Sequence, residues 1–317
     1  MSGREWKVAR DRGGFALLAV LWVIAATSVL ALGLSLVARQ SVWAAQNRVD
    51  IARATWKADA CLERARAVIG EALSGRTANS TARSAGWATL DDVVRAAPNS
   101  PGPGCDVSAR PAGSAVNLAE ADDELLRGVL VAARLPHRQV DSLVDALLDW
   151  RDADDVPRPH GAERAWYDEQ GLHPPRNGPL ADIRELSRVR GFGAVPGLDT
   201  LFSTERGRIA LDHAPLVVLA ALPGFTEETV QRVAERRLRG VPVGDLLSLG
   251  QELSPAARTA LSARYVDLVR LTTAEPDAWI LTSTAASGAR GVTVTVEVRL
   301  ARSGARAAIV RRRSWVR

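Results

Sequence analysis

The sequence predicts an α+β fold: a long N-terminal helix packed on an antiparallel sheet, with a large all-helical domain inserted before the sheet is completed. Three observations predict it. Arg39 to Leu73 contains no proline and no glycine before Gly70, and it continues an apolar stretch that is itself helical. From 117 to 270 the apolar residues recur at helical spacing. Near the C-terminus the period drops to two, with Val292, Val294, Val296, Val298 and Leu300 alternating with Thr293, Thr295, Glu297, Arg299 and Ala301, the pattern of a strand with one buried face.

The N-terminal element comes first. From Phe15 to Ala38 no residue is charged, and a membrane-crossing helix needs roughly 20 apolar residues. Arg4, Lys7, Arg10 and Arg12 precede it against Glu5 and Asp11, an excess that keeps that end cytoplasmic and puts the rest of the chain outside the inner membrane. A secretory signal peptide fits less well, because the apolar run outlasts the usual h-region and no clean cleavage site ends it; a plain signal anchor is a second reading. Beyond Ala38 the helix continues on alanine, arginine and glutamine. Val42, Val49 and Trp56, at seven-residue steps, form the stripe expected to pack on the sheet.

Gly75 to Ser84 reads as loop, the stretch from Gly86 as a short strand, Pro98 to Cys105 as irregular, and Ala115 to Leu118 as another brief strand. Helices are expected at Ala119–Ala133, Gln139–Trp150, Leu180–Val189, Ala214–Leu222, Thr226–Leu238 with Thr226 as N-cap, and Pro255–Arg270 capped by Ser254. Trp279–Thr284, Val292–Leu300 and Ala307–Arg311 are the late strands.

Composition narrows the function. The 317 residues are 47% hydrophobic and 24% charged, so the chain folds. Its net charge of +5 is concentrated in Arg290, Arg299, Arg302, Arg306, Arg311, Arg312, Arg313 and Arg317, opposed locally only by Glu297. This reads as a solvated basic edge; no nucleic-acid motif accompanies it. The Leu222–Thr226 turn has the look of a helix-hairpin-helix, but short helix pairs joined by Pro-Gly are common packing units. Cys61 and Cys105 would lie in an oxidising compartment. A bridge from the first helix to the following loop is expected, with two separate buried thiols as the other reading.

The densest chemistry is Leu147 to Asp155, L-L-D-W-R-D-A-D-D, followed by Gly161-Ala162-Glu163 and Tyr167. Asp149, Asp152, Asp154 and Asp155 crowd together with Arg151 among them, and like charges this close repel unless a cation relieves them. Asp149, Asp152 and Glu163 converge if the loop folds back on the helix end. Irregularly spaced oxygen ligands suit calcium, and no EF-hand spacing is present. A solvated loop neutralised by Arg151 is the plainer reading. A membrane-anchored metal-dependent hydrolase using Asp152, Asp154 and Glu163 is the alternative function, although no nucleophile, phosphate loop or zinc-spaced histidine pair supports it.

Two sets of residues carry a family resemblance. A short basic leader ending in Gly14, then Phe15 and an unbroken apolar helix, resembles the prepilin class. The resemblance implies peptidase cleavage after Gly14 and methylation of Phe15. Most of that class have glutamate five residues into the mature chain; here the position is Ala19. The Asp149–Asp154 run, Gly161-Ala162-Glu163, Tyr167, Asn177-Gly178-Pro179 and Asp182–Gly191 (D-I-R-E-L-S-R-V-R-G) are similar to the signature of the K-type minor pseudopilins of type II secretion systems (the GspK family). With Asn117-Leu118 and Pro223-Gly224 the similarity runs over nearly the whole chain, while Ile209-Ala210-Leu211-Asp212 departs from it.

The resemblance implies a pilin-like fold. Its expected parts are a leader at 1–14, a membrane span at 15–38, a first pilin-like part at 39–116, the inserted helical domain at 117–270 and C-terminal strands at 271–317. It implies a non-catalytic subunit at the tip of a periplasmic pseudopilus. Its partners would be the I-, J- and H-type minor pseudopilins, the major pseudopilin, the prepilin peptidase, and secreted substrates or the outer-membrane channel, with no nucleic acid. It also implies structural calcium at Asp149, Asp152, Asp154 and Glu163.

Overall fold

The computed structural model describes residues 13–74, 86–96, 104–289, 291–304 and 306–316. Met1 to Arg12 of the expected leader, the 75–84 loop and 98–103 lie outside the described residues, as do Arg290 and Arg317. Helix α1 (Gly13–Ser74) runs unbroken for 62 residues, about 93 Å at the α-helical rise. Gly14 and Phe15 fall in its first turn. Every described side chain from Leu17 to Val49 is exposed, and this is the one helix among the described residues apolar and long enough to cross a membrane.

The packing half of α1 differs from the expectation. Val42, Val49 and Trp56 are exposed, Trp56 at 78%. The buried face is Asp50, Ala54, Ala58, Cys61, Leu62, Ala65, Ile69 and Leu73, spaced three and four apart as one side of an α-helix requires. Alanines set the face because a small side chain lets the helix lie close on the sheet, whereas Trp56 would hold it off. The stretch after Gly86 is helical, not a strand: α2 (Leu90–Ala96) buries Leu90 and Val94 one turn apart and has Asp91 and Asp92 in its first turn, where the helix dipole favours acids.

The sheet has the order β1-β6-β7-β8 and is antiparallel throughout. Its strands are β1 (Cys105–Pro111), β6 (Ala278–Ser287), β7 (Val292–Ser303) and β8 (Arg306–Val316). The three late strands stand where the alternation predicts. Strand β1 was not anticipated, and Cys105 opens it instead of ending a loop. Val294, Val296, Val298 and Leu300 face α1, each worth roughly 1.5–3 kcal/mol in removal from water. Trp87 and Trp279 seal the same core: the Trp87 indole donates to the Pro276 carbonyl at 2.7 Å, and the Trp279 indole donates to the Trp87 carbonyl at 2.8 Å. A Cys61–Cys105 disulfide joins α1 to β1.

Between β1 and β6 the chain leaves the sheet and builds a second core from helices. It departs through β2 (Val116–Asn117), paired in parallel with β3 (Phe202–Ser203), and returns through β5 (Thr272–Thr273), paired in parallel with β4 (Ile209–Ala210). The Ile209–Asp212 departure therefore supplies a strand, and Asp212 accepts the Val243 amide at 2.9 Å. Gly113 sits at φ +85°, and a Cβ there would lie 1.9 Å from the Arg208 carbonyl, so only glycine fits this crossing.

The helices are α3 (Asp123–Ala132), α4 (His137–Arg151), α5 (Arg164–Glu169), α6 (Leu216–Ala220), α7 (Glu227–Leu238), α8 (Leu246–Gln251), α9 (Pro255–Ala263) and α10 (Tyr265–Leu271). Asp122, Thr226 and Ser254 cap α3, α7 and α9 with their side chains. Two expectations are corrected. Leu180–Val189 contains only a 3-10 turn, Ile183–Arg188, because the Asp182 side chain bonds the Arg184 amide at close range and tightens the turn. The 255–270 helix breaks at Arg264, whose backbone leaves the helical region at φ −114° while its side chain pairs with Glu124 and Asp267.

The basic C-terminal stretch is a joint between the two cores. Glu205, on the loop after β3, is 2% exposed and receives Arg311, Arg313 at 2.9 Å and Arg299 at 3.3 Å from the sheet. Arg313 also binds Glu297 at 2.6 Å, Arg302 binds Glu275 at 2.7 Å, and Arg312 reaches Asp59 of α1 at 2.8 Å. Glu297 thus has company that lies far off in sequence.

Candidate metal centre

Helix α4 points three carboxylates at the loop that follows it. Asp145 and Asp149, four residues apart, share its inner face, and Asp152 ends it. Prolines 157 and 159 bar regular structure in the loop, which doubles back so that Glu163, the residue before α5, meets them. Ligand oxygens of Asp149, Asp152 and Glu163 lie within 4.8 Å of one another. Asp149 is fully buried and Glu163 is 3% exposed. Gly161 makes the closure feasible, since a Cβ there would stand 1.9 Å from Asp149 Oδ2.

The surroundings hold this loop in place. The His160 amide donates to Asp145 at 3.1 Å. Tyr167, buried against Trp150 and Trp166, accepts the Arg190 amide on its hydroxyl at 2.9 Å, and the Arg190 guanidinium donates to the Gly161 carbonyl at 2.7 Å while lying over the Trp166 ring. Asn177, at φ 50°, donates to the Asp154 carbonyl and the Asp155 carboxylate, each at 3.0 Å.

Asp154 does not join the three. It is exposed, and its carboxylate accepts the Val156 amide at 2.9 Å. The Asp152–Asp154–Glu163 set that a hydrolytic centre would use is therefore not assembled. Arg151 does not neutralise the acids either: it donates to the Leu118 and Ala121 carbonyls. The arginine that does is Arg158, whose guanidinium reaches Asp149 at 2.7 Å and Asp152 at 2.5 Å, and whose amide donates to Asp149 Oδ2 at 3.1 Å. Its position as the one arginine between Asp155 and Gly161 is the available signal.

Glu163 is left over. Both its carboxylate oxygens, and Oδ1 of Asp152, are buried with no hydrogen-bond partner. Burial, and then the charges of Asp149, Asp152, Asp155 and Asp154, push its carboxyl up to about 7. Orphaned carboxylate oxygens that converge on one point, supplied by hard ligands alone, fit a divalent cation such as calcium. Asp149, Asp152 and Glu163 are the residues that would hold it.

The Pro223-Gly224 turn is a packing unit. Gly224 has φ +81°, and a Cβ there would stand 2.7 Å from the Ala260 carbonyl on α9. Glu227 and Glu228 occupy the first turn of α7, where a nucleic-acid phosphate would be repelled, and Glu228 accepts the Ser254 amide and hydroxyl at 2.7 and 2.6 Å.

Comparisons with known proteins agree with this architecture. Residues 109–195, which include β2, α3, α4, the acidic loop and α5, match the sequence model of a family described as type II secretion system (T2SS), protein K. No curated protein sequence matches the chain. Among solved structures, a chain in the crystal structure of the GspK-GspI-GspJ complex from the enterotoxigenic Escherichia coli type 2 secretion system superposes with a TM-score of 0.57 at 16% identity. The match covers 85% of this chain and 98% of that one. At that identity it speaks for the fold.

Proposed function

We infer that this chain belongs to the protein K family of the type II secretion system and is a non-catalytic minor pseudopilin that caps the tip of a periplasmic pseudopilus and nucleates its assembly. The observation that carries this is the acidic-loop signature within residues 109–195, built into a helical domain inserted between strands of a sheet that packs on a single membrane-anchored helix. That helix fixes the protein in the inner membrane, with its two cores on the periplasmic side. Ala19 puts no carboxylate in the lipid-embedded part, so this subunit needs no neighbour above it to neutralise one.

The partners that fit are I- and J-type minor pseudopilins. Support comes from the likeness to a chain of a GspK-GspI-GspJ complex. The lipid-facing helix would meet theirs through Ala25, Ala26 and Gly33, since small residues let helices approach in a bilayer. Maturation by a prepilin peptidase would cut after Gly14 and methylate Phe15. A calcium ion held by Asp149, Asp152 and Glu163 would neutralise the acidic loop and fix its shape.

Deletion of the chain in its host, with secretion and filament formation as readouts, tests the role. Loss of both, restored by the wild-type copy and accompanied by co-purification with I- and J-type subunits, is expected. Normal filaments and normal export without it would end the proposal. Intact mass of the membrane-extracted protein tests maturation: a chain beginning at methylated Phe15 is expected.

A further inference from the structure

The acidic centre carries its own cation. Arg158 binds Asp149 and Asp152 through one guanidinium nitrogen, at 2.7 and 2.5 Å, yet it leaves both oxygens of Glu163 and Oδ1 of Asp152 without a partner. A guanidinium is planar and donates in a fixed fork; here it serves two of three converging carboxylates. One positive charge also stands against three acids. The arrangement satisfies Asp149 and half of Asp152, and leaves the remainder waiting.

The Arg158 side chain has open space beside it. It is 37% exposed and lines a surface cleft of about 430 Å³ with Ala119, Glu120, Pro179 and Arg206. Its backbone need not follow, because the Arg158 amide holds Asp149 Oδ2 independently of the guanidinium. Asp149 thereby divides its work: one oxygen is tied mainly to the main chain of the loop, the other to the removable side chain.

We propose that Arg158 is an exchangeable internal competitor of the divalent cation: its guanidinium holds Asp149 and Asp152 together before the ion binds, and leaves them for the cleft when the ion binds. This rests on the reading that Asp149, Asp152 and Glu163 take calcium. The consequence is a centre that stays folded without metal but binds it more weakly than its ligands alone would. The guanidinium sets the threshold concentration at which the ion takes over.

The test uses the full-length chain in detergent, stripped with EDTA and titrated with calcium chloride by calorimetry. Arg158→Gln should bind calcium about tenfold more tightly than wild type, since a charge-assisted competitor has been removed, and should melt at a lower temperature than wild type in EDTA. Arg158→Lys should fall between the two. Glu163→Gln should bind calcium in neither background. Labelling wild-type protein with phenylglyoxal, mapped by mass spectrometry, gives a readout that needs no variant: Arg158 should react faster in calcium than in EDTA. Equal calcium affinity in wild type and Arg158→Gln, or labelling of Arg158 that calcium leaves unchanged, overturns the exchange while leaving the metal site standing. Absence of calcium binding in wild type and Arg158→Gln alike overturns both.

Discussion

Glu163 and Glu205 are both withdrawn from water, at 3% and 2% exposure, and their neighbourhoods are opposite. Around Glu205 stand Arg299, Arg311 and Arg313. Burial pushes its carboxyl up, but the Arg311 hydrogen bond and the charges of the three arginines outweigh that and hold it below the ordinary carboxylate value. Around Glu163 stand Asp149, Asp152, Asp154 and Asp155, and its carboxyl rises to about 7. Burial pushes both carboxyls in the same direction; the sign of the neighbours decides the outcome. One glutamate is completed by the chain itself and serves as a joint. The other is left incomplete and is suited to something that arrives from outside.

The largest effect that could break this contrast is at the joint. Glu205→Ala removes the shared acceptor of three arginines and should cost about 3 kcal/mol, as breaking a buried ion pair does; urea unfolding of the full-length protein in detergent checks it. A loss under about 1 kcal/mol would mean the arginines are satisfied without Glu205. At the acidic centre the sign reverses. In EDTA at pH 8, Glu163→Gln should stabilise by on the order of 2 kcal/mol, because it removes a charge that the fold disfavours. A destabilised variant would show that the Glu163 carboxylate has a partner in the folded chain.

The contrast sharpens with pH. Glu163 binds its proton more tightly in the folded chain, at about 7 against an ordinary 4.5, so its contribution to stability falls as pH rises through that window. Glu205 binds its proton less tightly when folded, so its contribution is present above about 4.5 and is lost as pH falls through its lowered folded value. Subtracting the EDTA stability profile of Glu163→Gln from that of wild type should isolate the first slope, and Glu205→Gln the second. The smallest effect belongs to the exposed member of the seam. Arg312 and Asp59 are both nearly half exposed, and Arg312→Ala should change stability by less than about 1 kcal/mol.

Periodicity made the late strands readable, because β7 has one apolar face and shows it every second residue. The acidic centre was readable as a density of aspartates, and Gly161-Ala162-Glu163 as the segment that could return to them. Its counter-cation was not: Arg151 is nearer in sequence, but helix α4 turns it toward the Leu118 and Ala121 carbonyls, while Arg158 is delivered by the loop. Glu205 gave no local sign at all, since its three arginines come from strands about a hundred residues later. The face of α1 is hard to read for a different reason. Large apolar residues at seven-residue steps outweighed a row of alanines, although close approach to a sheet favours small side chains. Strand β1 alternates as well, but its seven residues sit next to a proline-rich segment that suggested no order.

The disulfide between Cys61 and Cys105 has a mechanical side. Cys61 lies midway along the face of α1 that grips the sheet, which runs from Asp50 to Leu73. A pull or thrust transmitted along the membrane helix would load that face in shear. A covalent pin at its middle transfers the load to β1, and from β1 across the ladder into β6 and β7. The head would then move as one body with the rod beneath it.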